Sequence, residues 1–356
     1  MINDYFLLPS NIKVKKKNQN VGNKNLNLKY NENLSCDLLN ILVLDKKKKF
    51  NLSDELNLND LNILESKSKC YKNLKNRLSN ICNPNKNVPF FLKGNKPKIM
   101  AILNVTEDSF FDGGRYFDTK KAISKAYELI EEGADIIDVG GESTRPGAKV
   151  INQEEEIKRI LPVIKELCKN NHTVSCDTRN SKTMQKVLDQ GVKIINDVSA
   201  LNYDKNTINV IKKYNCFYIL MHSIKNPQTM QLNPEYENVI SEMYSFFLKK
   251  INILKDNKIK INKIMIDPGI GFGKNDYHNF QILKYFSIFL DLGLPILIGL
   301  SRKSFIGRFI KNEEEDRLAC SLSLAVDSFL KGASFIRVHD VKATKNAINI
   351  FKKANI

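Results

Sequence analysis

Residues 99–114 read IMAILNVTEDSFFDGG, a short apolar run that breaks into a polar loop. Ile99 to Leu103 has the length and apolar character of a buried strand, and Asn104 ends it. Thr106, Glu107, Asp108 and Ser109 then bring carboxylates and hydroxyls, two phenylalanines follow, and Gly113-Gly114 lets the loop turn. A strand whose carboxyl end opens into such a loop is where α/β folds place their chemistry. An ordinary strand-to-helix connection has the same look, so the other strand ends must decide.

The pattern recurs along the chain: IIDVGGESTRPG at 136–147, VSCDTR at 174–179, IINDVS at 194–199, IMIDPGIGFGK at 264–274, ILIGLSRK at 296–303 and FIRVHD at 335–340. Each is an apolar run that ends in polar or charged residues. Strands are predicted over 99–105, 134–141, 174–178, 193–198, 217–222, 264–268, 295–300 and 335–338. Helical periodicity fills the gaps, over 119–132, 153–170, 181–190, 204–214, 236–257, 275–290, 313–331 and 341–353. Asp118 or Thr119 is placed to cap the first of these, and Glu154-Glu155-Glu156 and Glu313-Glu314-Glu315 put anions in first turns. Eight strand–helix units predict an α/β fold closed as a (β/α)8 TIM barrel over residues 96–356. An open Rossmann-like sheet is the weaker alternative, because no Gly-rich phosphate turn follows the first strand.

Residues 1–95 differ. They are a Lys/Asn-rich N-terminal extension with charge runs at Lys15–Lys17 and Lys46–Lys49. The patches Leu38–Leu44 and Leu58–Leu64 are expected to form a strand and a helical turn in a partly ordered segment that packs on the barrel. It carries no motif that reads chemically.

The chain has 356 residues, 42% of them apolar, which supports a large core, and a formal charge of +17. Such charge admits nucleic acid or an anionic substrate. The Lys and Asn are spread as on solvated faces, and no RNA-binding aromatic motif, zinc-finger spacing or heptad is present, so no nucleic-acid partner is expected. The seven cysteines are scattered without a Cys-x-x-Cys, which favours free thiols and a cytoplasmic protein. No apolar run reaches transmembrane length, so no membrane partner is expected.

In a barrel the carboxyl ends of the strands share one face. The residues gathered there are Asn104, Asp138, Thr144 with Arg145, Asp177, Asn196, Met221 with His222, Asp267, Ser301 with Lys303, and Arg337 with His339. Asp177, Asn196 and Asp267 suit a flat, nitrogen-rich ring, since a buried carboxylate accepts the paired donors of an amino-pyrimidine edge. A single Asp after a strand more often caps a helix, but three such groups at three strand ends are harder to explain that way. Arg337 and His339, two apart on one strand, point the same way and suit one anion, with Asn104 and Arg145 as further donors. Gly269, Gly271 and Gly273 do not form a phosphate loop, for no Gly-Lys-Ser/Thr follows; they read as a loop whose backbone approaches a ligand closely. His172 and His278 read as structural.

Taken in order, these motifs resemble dihydropteroate synthase over roughly residues 96–356. The resemblance implies small-molecule substrates, a dihydropterin pyrophosphate and p-aminobenzoate, with Mg2+ as cofactor. It implies that Asp177, Asn196, Asp267 and Lys303 bind the pterin ring, with Phe272 beside it and Met221 on the pocket floor. It assigns pyrophosphate to Asn104, Arg145, Arg337 and His339, the metal to Asn104, and p-aminobenzoate to Thr144, Pro146, Ser301 and Lys303. Asn104, Asp108, Lys303, Arg337 and His339 are the catalytic set it implies, and a homodimer is the expected assembly. In the implied reaction the pyrophosphate leaves first and the neutral arylamine attacks the pterin-stabilised cation, so no strong base is needed. The loops 105–114 and 143–147 are expected to close over the reacting centre. Glu107 stands where the family usually has Pro, and the extension has no counterpart in the short forms of the enzyme. Two other readings stay open: a pterin barrel serving a corrinoid methyltransferase, which would lack the pyrophosphate grip, and a basic nucleic-acid-binding protein built on an inactive barrel.

Overall fold

The structure is a computed structural model that describes residues 5–14, 26–58, 60–82, 97–106, 119–142, 151–224, 233–310 and 314–355. The extension forms two small antiparallel sheets. β1 (Tyr5–Ser10), β5 (Leu38–Leu44) and β6 (Phe50–Asn57) make one; β2 (Lys13–Val14), β3 (Leu26–Leu28) and β4 (Asn31–Cys36) make the other, with β4 central. Helices α1 (Leu61–Cys70) and α2 (Leu74–Cys82) follow. The expected strand at Leu38–Leu44 is present, and the second apolar patch starts α1, where Asp60 accepts from the backbone of Asn62 and Ile63 as an N-cap.

Eight parallel strands then form the barrel: β7 (Lys98–Asn104), β8 (Ile136–Gly140), β9 (Val174–Asp177), β10 (Ile194–Asp197), β11 (Phe217–Met221), β12 (Ile264–Asp267), β13 (Leu297–Gly299) and β14 (Phe335–Val338). Neighbours in sequence are neighbours in space, β14 returns to pair with β7, and a parallel bridge from Ile266 to Ile296 spans the last seam. Around them lie α3 (Thr119–Glu131), α4 (Gln153–Lys169), α5 (Ser181–Leu188), α6 (Thr207–Tyr214), α7 (Val239–Asp256), α8 (Asp276–Lys284), α9 (Ser304–Ile310), α10 (Glu314–Leu330) and α11 (Val341–Ala354). Asn152 and Asn238 cap α4 and α7, and Asn275 with His278 forms a capping box on α8, which accounts for that histidine structurally. Of the expected caps for α3, Thr119 lies inside the helix and Asp118 outside the described residues.

Two elements differ from the sequence reading. The single helix expected over 275–290 stops at Lys284, and Phe286–Leu292 is a 3-10 turn. Phe286, Ile288, Phe289 and Leu290 are all buried, an arrangement no one-sided α-helix face provides. The short helix α9 was not expected; seven residues are too few for periodicity to reveal.

The strands alternate with period two. Their outward residues, such as Ile137, Val139, Cys176, Ile195 and Leu220, pack on the helices. Inward, Met100, Ile136, Ile194, Ile219, Met265, Leu297 and Phe335 form a separate apolar layer inside the barrel. Tyr30 of the extension packs against this layer, and its hydroxyl donates to the carbonyl of Gly293, as does Lys29 Nζ. Elsewhere the extension shares the outer core: Phe6 meets Tyr244, and Phe50 meets Tyr285 with ring centroids 4.9 Å apart. Arg77 of α2 donates through Nε to Asp291 at 2.7 Å, and Tyr244 donates to the same carboxylate at 2.9 Å. Asp291 is fully buried. Replacing Arg77 with Met should strand that carboxylate and cost about 3–5 kcal/mol, read as a lower urea midpoint at unchanged slope.

Candidate active site

Two residues beyond the apolar layer, the inward positions turn polar. Asp138 follows Ile136, Asn196 follows Ile194, Asp267 follows Met265 and Arg337 follows Phe335, while on β7 Asn104 comes four after Met100, with Ile102 between them. With Asp177 and Met221 they sit at the carboxyl ends of the strands. There a cavity of about 1230 Å³ opens, lined by Asn104, Asp177, Asn196, Met221, Asp267, Phe272, Ser301, Lys303, Arg337 and His339, among others.

Arg337 organises the polar layer. Its Nε donates to Asp138 Oδ2 at 2.6 Å and a terminal nitrogen donates to Asp177 Oδ2 at 2.8 Å. Asn196 Nδ2 donates to Asp138 Oδ2 at 3.0 Å. Burial pushes the Asp177 carboxyl up to about 7, with Arg337 opposing the shift and Asp138 adding to it. Burial likewise raises Asp267, whose Oδ1 accepts from Gly269 N at 2.7 Å. Lys303 lies over the Phe272 ring, 4.3 Å from its centre, and burial with the nearby Arg337 charge pushes it down to about 8. His339 Nδ1 lies 3.1 Å from Ser301 Oγ, which also accepts from the His339 backbone N–H. Burial and the cations Arg337 and Arg302 push His339 down to about 4, so at neutral pH the ring is an uncharged donor rather than a cation.

The loop after β12 is clamped at several points. Gly269 has φ +65°, and a Cβ there would stand 2.2 Å from the His222 carbonyl, so only glycine fits. The glycine-rich stretch therefore approaches protein backbone as well as bordering the cavity. Gly271 N donates to Asn279 Oδ1, and Tyr236 donates to the Gly273 carbonyl. Lys274, which the sequence reading passed over, is fully buried and reaches His222 Nδ1 at 3.0 Å, the His222 carbonyl at 3.2 Å and the Phe272 carbonyl at 2.8 Å. It ties the β11 and β12 loops together and so holds Phe272 in place. Asp138, at the end of β8, meets both Asn196 and Arg337. Asp108, Thr144, Arg145 and Pro146 lie outside the described residues. Asp138 and His222 do not line the cavity, whereas Asn104, Asp177, Asn196, Met221, Asp267, Phe272, Ser301, Lys303, Arg337 and His339 do.

The model of the pterin binding enzyme family matches residues 100–339. This chain belongs to that family. Among its relatives, the dihydropteroate synthase of Haemophilus influenzae is 39% identical over 258 residues, 72% of this chain and 93% of that one. Dihydropteroate synthase of Yersinia pestis, solved with a sulfonamide drug, superposes with a TM-score of 0.69 at 36% identity, covering 73% of this chain and 94% of that one. The enzyme of Clostridium difficile, solved in the presence of pteroic acid, gives 0.68 at 38% identity, with 73% and 97% covered. In this family member Lys274 joins the loops after β11 and β12, and burial pushes its amine from 10.5 down to about 7. Between those values the unfolded chain holds a proton that the folded chain has released, so stability from this group rises with pH. The unfolding free energy of the wild type relative to Lys274→Met should therefore climb from about pH 7 toward pH 10; a pH-independent difference in chemical denaturation would contradict the assignment.

Proposed function

We propose that this chain is a dihydropteroate synthase. It condenses 6-hydroxymethyl-7,8-dihydropterin pyrophosphate with p-aminobenzoate to give 7,8-dihydropteroate and pyrophosphate, a transferase step of folate biosynthesis. One observation carries the reading: a row of buried acceptors on Asp177, Asn196 and Asp267 lies in the same cavity as Arg337, His339 and Asn104. A ring with an amino-pyrimidine edge satisfies the first set, and an anion satisfies the second. The corrinoid alternative uses no pyrophosphate and leaves the second set without work.

The chemistry asks little of acids and bases. The arylamine of p-aminobenzoate is neutral at physiological pH and attacks without a general base. The chain's task is to hold the pterin methylene and to accept charge on the departing pyrophosphate. Asp177, Asn196 and Asp267 orient the ring, Phe272 and Met221 confine it, and Lys303 bridges the ring and the p-aminobenzoate side, where Ser301, Thr144 and Pro146 are assigned. Arg337, Arg145 and the uncharged His339 ring donate to the pyrophosphate. Asp108 is assigned to the catalytic set.

Mg2+ fits as the cofactor. Asn104 brings a hard carboxamide oxygen to the cavity wall, and among the described residues no cluster of three His, Cys, Asp or Glu competes as a metal cage. A cation held by one protein oxygen, phosphate oxygens and water matches magnesium, which would supply charge neutralisation at the leaving group. A homodimer is the proposed assembly, for which the exposed aromatics Tyr277, Phe280 and Phe309 offer apolar surface. The cytoplasm is the proposed compartment. The seven cysteines are free, as suits a reducing environment, and among the described residues no helix is long and apolar enough to cross a membrane.

Purified protein given both the pterin pyrophosphate and p-aminobenzoate should form 7,8-dihydropteroate and pyrophosphate in equal amounts; no dihydropteroate with both substrates present would refute the proposal. Asp177→Asn should weaken pterin binding by about 1–3 kcal/mol, because an amide presents one acceptor where the carboxylate presents two. Calorimetry with a pterin analogue measures this, and an unchanged affinity would remove Asp177 from the ring pocket.

A further inference from the structure

Asp138 stands between the apolar layer and the cavity. It faces inward from β8 and is wholly inaccessible to solvent. One oxygen, Oδ2, accepts both from Asn196 Nδ2 and from Arg337 Nε. The carboxamide of Asn196 has two unlike ends of similar shape, and packing alone does not choose between them. Here the choice is forced: turning the amide over would set its oxygen against a carboxylate oxygen at hydrogen-bond distance. With Nδ2 committed to Asp138, Asn196 Oδ1 is left buried and without a partner among the described residues, on a side chain that borders the cavity. Asp138 Oδ1 is unpaired as well, but Asp138 does not border the cavity, so of the two acceptors it is Asn196 Oδ1 that a ligand donor in the cavity can meet. Arg337 is held in plane by the same carboxylate and by Asp177.

We propose that Asp138 is a positioning residue that sets the sense of the ring pocket, fixing Asn196 with its oxygen toward the ligand and Arg337 beside it, without touching substrate itself. The pocket then selects rings that offer a donor opposite Asn196 and rejects those that offer an acceptor there. The inference rests on the dihydropteroate synthase reading for the identity of the ring.

The test uses the full chain and calorimetry with 6-hydroxymethylpterin. Asp138→Leu keeps the branched shape and removes the acceptor; Asp138→Asn keeps a carboxamide oxygen that can serve the same two donors. The Leu variant should bind the pterin at least about tenfold more weakly, and the Asn variant should stay within about threefold of wild type. The KM for p-aminobenzoate should be the same in all three. A folded Leu variant with wild-type affinity, equal losses in Leu and Asn, or a parallel rise in the KM for p-aminobenzoate would each overturn the assignment. If the Leu variant does not fold, Asp138→Ala carries the test: it removes the acceptor without overfilling the site, so it should also lose about tenfold, and unchanged binding would overturn the assignment. Wild-type protein that binds no pterin would instead sink the functional reading, whatever the variants do.

Discussion

A closed barrel of parallel strands admits only every second side chain to its interior, and that constraint shapes the whole molecule. On β8, β10, β12 and β14 an apolar residue of one inner layer is followed, two residues later, by a polar residue above it: Asp138, Asn196, Asp267 and Arg337. The first layer fills the barrel and makes it rigid. The second stands on that packed floor, so its polar groups are held by strands rather than by loops. The same alternation places Cys176 and Val139 against the helices, and burial there keeps the Cys176 thiol well above its ordinary range.

Within the polar layer the charges are arranged around one guanidinium. Arg337 stands between Asp138 and Asp177, with Lys303 and Asp267 close by. Two carboxylates confined together would resist ionisation, and a single buried arginine would be equally unfavourable; together they satisfy one another. The result is a site with a fixed donor and acceptor pattern before any ligand enters, which is what electrostatic preorganisation requires. Lys274 does for the adjoining loop what Arg337 does for the strands, binding two carbonyls and a ring nitrogen from one buried amine.

The extension serves the barrel from the opposite end. Tyr30 sits against the inner apolar layer, and Lys29 and Tyr30 both donate to Gly293, the residue after the 3-10 turn. Arg77 enters the same turn from another side to meet Asp291. A barrel floor left open would expose apolar surface to water, and here the extension covers it.

Much of this was legible in the sequence. Short apolar runs that end in polar residues located all eight strands, and the positions of Asp177, Asn196, Asp267, Arg337 and His339 at the carboxyl ends of those runs placed them on one face. Strand periodicity is a local property, so local reading recovers it. What local reading missed depends on distant partners. Asp138 could be counted as a strand end, but its work comes from Asn196 and Arg337, 58 and 199 residues away in sequence. Lys274 looked like the tail of a glycine loop until His222, 52 residues before it, closed on it. The polar composition of the extension concealed a folded unit because its core is completed by Tyr244, Tyr285 and Asp291 of the barrel. The sequence alone determined which residues stand at the carboxyl ends of the strands, because each apolar run and the polar residues that end it are local features. Only the tertiary structure decided how they are paired, because hydrogen bonds and burial are set by neighbours in space, and the closure of the barrel is what makes those residues neighbours.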